Sequence, residues 1–234
     1  MQRRCHGTRW ATLSVMALVG LASCSTLGKA SPEPAPPPVN GMIYDWESRP
    51  VADARISVDG ALAARSDING RFAVSLPAFG PYRIEVSRDG FESVGLSLDY
   101  CDRAQVVYLR MASADELRDA AEDELERQNW AGALALLDRV ESVAPGDWLG
   151  SYLRAVIGFR KGDYEAARKL LDGLYTAGCR EAYLYLLRAD LEQYYLDDPV
   201  AAARDLAEYL DLRYDPDVEA RLKALKDSIA SIPG

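Results

Sequence analysis

Few side chains in this 234-residue chain could do chemistry on a ligand. His6 is the single histidine, which excludes histidine-based triads and metal sites from the rest of the chain. Cys101 and Cys179 lie far apart, without the Cys-x-x-Cys spacing of redox and zinc sites. The sequence contains no phosphate loop, Gly-x-Ser-x-Gly elbow or dinucleotide-binding fingerprint. We therefore expect a protein that is not an enzyme and that takes no cofactor, metal or small-molecule substrate.

Acidic residues dominate the charge, with 36 Asp and Glu against 27 Lys and Arg and a net charge of −9. Because phosphate binding needs a basic surface, this balance argues against nucleic acid as a partner. The cluster Glu122-Asp123-Glu124 is typical of a solvated helix face rather than of a general acid–base pair. Asp67 and Asn69 invite a calcium interpretation, but strand residues follow where an EF-hand needs further acids, so a tight turn is favoured. The sequence does not decide whether Cys101 and Cys179 form a disulfide.

The N-terminal segment has the pattern of a secretory signal. Residues 1–9 are basic, and residues 10–22 form an apolar run shorter than the roughly 20 residues that span a bilayer. The run ends in Leu21-Ala22-Ser23-Cys24, which resembles the lipobox of bacterial lipoproteins. The resemblance implies a signal peptide over 1–23 and a membrane anchor of two or three acyl chains, palmitate among them, on Cys24. The alternatives are an ordinary signal peptide and an uncleaved membrane anchor.

Residues 24–39 form a linker after this cysteine. Prolines at 32, 34, 36, 37 and 38 favour polyproline II, so the 15 residues of 25–39 reach roughly 45 Å at about 3.1 Å each. A stiff tether is the simpler interpretation, and a proline-motif ligand is the alternative. Ser25 is not the aspartate that retains many lipoproteins in the inner membrane, so the resemblance favours the outer membrane of a bacterial cell envelope.

Residues 40–111 alternate hydrophobic and polar side chains, which predicts half-buried strands. Phe72 and Val74, for example, alternate with Arg71 and Ala73. Turn sequences such as Asp59-Gly60 separate the runs. We predict about seven strands in an antiparallel β-sandwich, near residues 41–45, 54–58, 61–65, 70–76, 81–87, 91–99 and 104–110.

The same segment resembles the carboxypeptidase regulatory-like domain, a transthyretin-like β-sandwich. The resemblance rests on residues 41–45, 49–58, 66–72 and 82–91, and Ser66 stands where the family usually has threonine. It implies an accessory module without catalytic residues. The alternative is that the sandwich binds glycan or peptidoglycan through aromatic residues such as Trp46 or Phe79.

Residues 112–234 change to a hydrophobic period of 3.6, which predicts helices. A capping box at Ser113 and Glu116 opens the first helix. Residues 217–229 place four apolar side chains on one face and charges on the other, as a helix that caps an array does; the four are Val218, Leu222, Leu225 and Ile229.

A longer period also runs through this helical segment. Small residues recur at Ala121, Ala155 and Ala189, at equal intervals (155 − 121 = 34 and 189 − 155 = 34). A second series of alanines, at 133, 167 and 202, lengthens to 35 in its last interval (202 − 167), which indicates an insertion near 197–198. The period resembles that of tetratricopeptide (TPR) repeats and implies a solenoid with repeats near 114–147, 148–181 and 182–216. An unrelated helical bundle is the alternative.

The resemblance to TPR arrays also implies a partner-binding groove made by the first helix of each repeat. Its residues are Asp115, Arg118, Glu122, Leu125, Leu149, Tyr152, Val156, Phe159, Tyr183, Leu186, Asp190 and Gln193. This aromatic, aliphatic and acidic mixture suits a protein partner that presents an amphipathic helix or an extended peptide with basic residues. The alternative is that the β domain or the cap helix covers Tyr152, Phe159 and Tyr183. The sequence as a whole predicts a lipid-anchored, non-catalytic interaction scaffold of the cell envelope.

Overall fold

The computed structural model describes residues 36–231, which divide into a β unit and a helical unit. The β unit ends at Met111, and the helical unit begins at Ala112 and also takes in Asp89–Glu92. The predicted signal peptide, Cys24 and most of the predicted linker lie outside the described residues. Within residues 36–231, every helix is too short or too polar to cross a membrane.

Seven strands form two sheets, as the alternating sequence predicts. They are β1 (Val39–Tyr44), β2 (Arg55–Val58), β3 (Ala61–Arg65), β4 (Arg71–Val74), β5 (Gly80–Ser87), β6 (Val94–Tyr100) and β7 (Val106–Arg110). One sheet has the order β4-β1-β7 and the other the order β3-β2-β5-β6. Each sheet buries one face, with Ile43 and Leu109 in the first and Ile56 and Ile84 in the second, as in a β-sandwich.

The pairing of β1 with β7 is parallel, which differs from the antiparallel arrangement that we predicted. The other four strand pairings are antiparallel. Alternation of buried and exposed side chains is the same in both kinds of pairing, so the sequence pattern could not reveal the direction.

The turn between β3 and β4 is built around Asp67. Its Oδ1 accepts hydrogen bonds from the backbone N–H groups of Asn69 at 2.9 Å and Arg71 at 2.8 Å. Gly70 has a φ of 72°, in the left-handed region that favours glycine. The carboxylate therefore serves the tight turn, and no three His, Cys, Asp or Glu side chains among residues 36–231 are grouped to hold a metal ion.

Seven helices make up the second unit as far as the structure describes it, to residue 231. They are α1 (Ala114–Glu126), α2 (Trp130–Val143), α3 (Trp148–Lys161), α4 (Tyr164–Thr176), α5 (Ala182–Tyr194), α6 (Pro199–Leu212) and α7 (Pro216–Ala230). Helices α1, α3, α5 and α7 begin at equal intervals (148 − 114 = 34, 182 − 148 = 34 and 216 − 182 = 34). Each helix packs against the next along the chain. The unit is therefore a TPR-like solenoid of three hairpins followed by a single helix.

Small side chains allow the helices to approach closely, as the repeat period predicts. Ala121, Ala155 and Ala189, and the second series at 133, 167 and 202, are each at most 1% exposed. A Cβ added at Gly158 would lie only 3.3 Å from Cβ of Ala167, so α3 and α4 nearly touch there. These residues form the tightest part of the hairpins.

The helix boundaries agree with the signals in the sequence. Ser113 and Glu116 form the capping box, with Oγ of Ser113 accepting the N–H of Glu116 at 3.2 Å and Oε2 of Glu116 accepting the N–H of Ser113 at 2.8 Å. The extra residue falls in the connection 195–198, where Asp197 has a φ of 53°. Val218, Leu222 and Leu225 bury one face of α7.

Candidate functional site

The residues predicted to line the groove lie on the first helix of each hairpin. Helix α1 carries Asp115, Arg118, Glu122 and Leu125, helix α3 carries Leu149, Tyr152, Val156 and Phe159, and helix α5 carries Tyr183, Leu186, Asp190 and Gln193. We call these twelve residues the first-helix face. Because the three helices begin in register, one face of the unit gathers side chains that are far apart in sequence.

Tyr152, on α3, lies near residues of α5 at the middle of this face. Burial raises the pKa of the Tyr152 phenol, and the nearby Tyr183 and Asp190 raise it further. Tyr152 is half-buried, whereas Tyr183 is 55% exposed. The structure therefore brings three of the predicted residues together and leaves an accessible aromatic ring beside them.

Phe159 belongs to a packed aromatic cluster rather than to an open surface. Its ring centroid lies 6.0 Å from that of Tyr164 and 5.4 Å from that of Tyr195, and those two tyrosines stack at 4.0 Å. The cluster fills the space beside two helix–helix connections. We infer that Phe159 stabilises the second and third hairpins and contributes little accessible area.

Arg118 is held by acids at the start of the first-helix face. It makes ion pairs with Asp115 on the same helix and with Asp147, the N-cap of α3, at 2.8 Å. These contacts fix the position of the guanidinium. Arg118 therefore adds no uncompensated positive charge.

Helix α7 reaches the other end of the face through Arg221, a residue that the sequence analysis missed. Nη1 of Arg221 lies 2.7 Å from Oδ1 of Asp190, and its Nε donates to Oε1 of Gln193 at 2.8 Å. The guanidinium also lies 5.0 Å from the ring centre of Tyr194. The spacing of the helices could have pointed to Arg221. Helix α7 begins one full repeat period after α5 (216 − 182 = 34), so α7 corresponds to the first helix of an incomplete fourth repeat. The cap helix thus covers Asp190 and Gln193, and it leaves Tyr183 exposed.

The rest of the face combines apolar side chains with an exposed acid. Glu122 is exposed, and the aliphatic members of the face are half-buried; these are Leu125, Leu149, Val156 and Leu186. The arrangement offers an apolar floor with a carboxylate at one side. Such a surface can bind a polypeptide segment through side-chain burial and charge pairing.

The opposite side of α5 holds a buried cluster of charges. Arg188, Glu192 and Asp205 are at most 4% exposed, and Nε of Arg188 lies 3.0 Å from Oδ2 of Asp205. Arg168 on α4 lies 3.9 Å from Oε1 of Glu192. Burial, reinforced by the charge of Asp205, raises the pKa of Glu192 to about 7. Two buried carboxyl groups beside Arg188 therefore tend to keep one proton near neutral pH.

Cys179 is a free, half-buried thiol that packs against the core of the second and third hairpins. The pairing of Cys101 with Cys179 that the sequence left open is therefore not formed. Cys24, the predicted acylation site, lies outside the described residues.

The β unit matches a known family. The family model of the carboxypeptidase regulatory-like domain matches residues 38–106. Residues 38–106 form a carboxypeptidase regulatory-like domain. Within this domain the Ser66 hydroxyl accepts the N–H of Ala54 at 2.9 Å and donates to the carbonyl of Val51 at 2.8 Å, so serine supplies a hydroxyl where the family usually has threonine.

The helical half is similar to solved TPR domains. The first TPR of Spaghetti (RPAP3), bound to HSP90 peptide SRMEEVD, is 16% identical with a TM-score of 0.46, over 50% of this chain and 96% of that chain. The Arabidopsis OM64 TPR domain is 14% identical with a TM-score of 0.44, over 49% and 95% of the two chains. The N-terminal domain of stress-induced protein-1 from C. elegans is 13% identical with a TM-score of 0.42, over 48% and 94%. No curated protein sequence matches the chain.

Proposed function

We propose that this chain is a non-catalytic scaffold of the bacterial cell envelope that binds a protein partner along the first-helix face. The observation that carries the proposal is on α3 and α5, where Tyr152 lies close enough to Tyr183 and Asp190 to feel their charges and Tyr183 remains 55% exposed. A tyrosine beside half-buried aliphatic residues is typical of the anchor points of protein interfaces.

The charges of the face favour a partner segment with basic residues. Glu122 is exposed on α1, and Asp190 already accepts a guanidinium from Arg221 at 2.7 Å. The contact with Arg221 illustrates the kind of group that this end of the face accommodates. An amphipathic helix or extended peptide with Arg or Lys would pair with Glu122 and cover the apolar floor.

A photo-crosslinking amino acid in the native envelope tests the groove. Placed at Tyr183, it should form covalent adducts with a discrete partner, and Glu122→Lys in the same chain should weaken them. The matched control is the same amino acid at Leu170, which is 37% exposed on a second helix, α4. Equal adducts from both positions, or none from Tyr183, would contradict the proposal.

The membrane anchor is the second part of the proposal. The lipobox at residues 21–24 supports acylation of Cys24, and Ser25 favours delivery to the outer membrane. Cys24→Ala should leave an unlipidated precursor that retains residues 1–23. Metabolic labelling with a fatty acid, followed by mass spectrometry of the N-terminus, measures both changes, and normal labelling of the variant would refute the anchor.

A second candidate function is binding of glycan or peptidoglycan by the sandwich. The feature that favours it is the exposure of Trp46 and Phe79, which are 38% and 45% exposed. The ring of Phe79 packs 4.8 Å from that of Tyr100. Binding of the chain to isolated peptidoglycan, and its loss on Trp46→Ala, would support this function over the scaffold.

A further inference from the structure

The outer face of the three-stranded sheet carries no acidic residue, in a chain with 36 of them. Alternate residues of β4, β1 and β7 are buried, so the residues between them form the other face. We call this set the outer sheet face, and it consists of Asn40, Met42, Tyr44, Arg71, Ala73, Val106, Tyr108 and Arg110. It combines two tyrosines, two arginines and small or apolar side chains.

The strand register arranges these side chains in rows across the sheet. Met42 lies between Arg71 on β4 and Tyr108 on β7, and Tyr44 pairs with Arg110. Tyr108 is 67% exposed, and the hydroxyl of Tyr44 lies 3.4 Å from Sδ of Met42. The rows make a flat aromatic and apolar surface with a guanidinium on each side.

The acids nearest to these arginines lie in turns rather than on the outer sheet face. Asp45 and Glu47 lie in the turn after β1, and both make ion pairs with Arg49, at 2.6 Å and 2.7 Å. Arg110 donates to the neutral hydroxyl of Ser48 at 3.3 Å. The eight residues of the outer sheet face therefore carry two positive charges and no negative charge, on a protein that is acidic as a whole.

We propose that the outer sheet face rests on the headgroup region of an anionic lipid bilayer. Tyrosine rings favour the boundary between headgroups and acyl chains, and arginine pairs with lipid phosphate while its stem lies on apolar surface. A second copy of the same face is a poorer occupant, because a symmetric contact would place Arg71 and Arg110 near like charges.

The position of β1 in the chain supports this occupant. Strand β1 begins at Val39, with only 14 residues between it and Cys24 (39 − 24 − 1), and a linker of that length keeps the start of β1 within roughly 45 Å of an acylated cysteine. This argument from distance rests on the lipid anchor of the proposed function, because the anchor would raise the concentration of lipid around the sandwich. The chemistry of the face does not depend on the anchor.

Co-sedimentation with vesicles tests the proposal without the anchor. The chain from residue 24 onward, with Cys24→Ser, should bind vesicles of mixed phosphatidylcholine and phosphatidylglycerol, fail to bind phosphatidylcholine alone, and dissociate at high salt. Arg71→Gln with Arg110→Gln should lower the affinity about 30-fold, given about 1 kcal/mol per arginine near an anionic surface. Tyr108→Ser should weaken binding without changing the salt dependence.

The matched control removes two arginines from the other sheet. Arg65→Gln with Arg83→Gln changes the net charge equally at side chains that are 49% and 71% exposed, and it should leave binding nearly unchanged. Equal loss in both double variants, no binding by the parent chain, binding to peptidoglycan instead of vesicles, or dimers that depend on Tyr108 would each overturn the proposal. Because Cys24 and the first-helix face take no part, these outcomes are separate from failure of the anchor or of the groove.

Discussion

Nη1 of Arg221 on α7 lies 2.7 Å from Oδ1 of Asp190 on α5, so the last helix of the solenoid supplies a positive charge to the predicted groove. The two side chains are 20% and 35% exposed, which places the pair at the rim rather than in the core. The helix that closes the array therefore also occupies one end of the first-helix face.

Arg221→Ala should uncover Asp190 and strengthen the binding of a basic partner. Because the ion pair is partly exposed, the free energy of unfolding should fall by only about 1 kcal/mol. Urea denaturation measures the stability, and the yield of adducts from a crosslinker at Tyr183 measures the binding. Lys223→Ala on the exposed side of α7 is the control. A lower adduct yield for Arg221→Ala would mean that Arg221 contributes to binding.

Glu192 should make the stability of the helical unit decrease as the pH rises. Its pKa is raised from the ordinary 4.5 to about 7, so the folded chain holds a proton that the unfolded chain releases between these values. The stabilisation is complete below pH 4.5 and falls by about 3 kcal/mol as the pH approaches 7. The charged groups that surround this cluster are Asp205 and Arg204 on α6, Arg168 and Asp172 on α4, and Arg188 on α5.

Chemical denaturation over a series of pH values tests this dependence. Glu192→Gln is neutral at every pH, so its stability relative to the parent chain should increase from pH 5 to pH 7.5. Glu165→Gln, which removes an exposed carboxylate of α4, should keep the parent slope. Parallel curves for Glu192→Gln and the parent would show that Glu192 does not hold the proton.

Gly41→Ala should destabilise the β unit by about 1–3 kcal/mol through overpacking. A Cβ at position 41 would collide with the ring of Phe72, which is 5% exposed and cannot move into solvent freely. Gly95→Ala on β6 is the matched control, since nothing lies within 4 Å of its added Cβ. Thermal unfolding followed by circular dichroism should separate the two variants, and equal midpoints would argue against close contact between β1 and β4.

Ser66→Ala should cost about 1–3 kcal/mol, because it leaves the buried N–H of Ala54 and the carbonyl of Val51 without the hydroxyl that they share. Ser66→Thr keeps the hydroxyl and should be much milder. Urea denaturation of both variants measures the difference. Similar losses of stability for Ser66→Ala and Ser66→Thr would mean that packing, rather than hydrogen bonding, determines the contribution of this residue to stability.

Local patterns predicted most of the architecture. The alternation in residues 40–111 indicated all seven strands, and the alanine series indicated three hairpins, because both signals come from side chains that must be buried at regular intervals. The direction of β7 was not predictable in this way. A strand buried on one face shows the same alternation whether its neighbour is parallel or antiparallel.

The candidate site was less predictable, because its character depends on which side chains meet across helices. The groove positions followed from the resemblance to TPR arrays, but that resemblance could not show that Arg221 pairs with Asp190 or that Phe159 packs on Tyr195. One feature of the sequence indicated the buried charged cluster. Glu192 stands one repeat period after Gly158 (192 − 158 = 34), a position where the preceding repeat needs a close approach between helices. A charged residue at a position where helices pack closely has to be buried, and a buried charge needs charged partners beside it.

The parallel pairing of β1 and β7 determines how tension would act on the sandwich. The chain enters at the start of β1 and leaves at the end of β7, so these two points lie at opposite ends of one hydrogen-bonded ladder. A force that pulls the preceding linker one way and the following helices the other would load all the hydrogen bonds of this ladder together, in shear. The ladder cannot open one bond at a time, as a hairpin pulled from its open end does, so the domain is built to resist stretching along the chain.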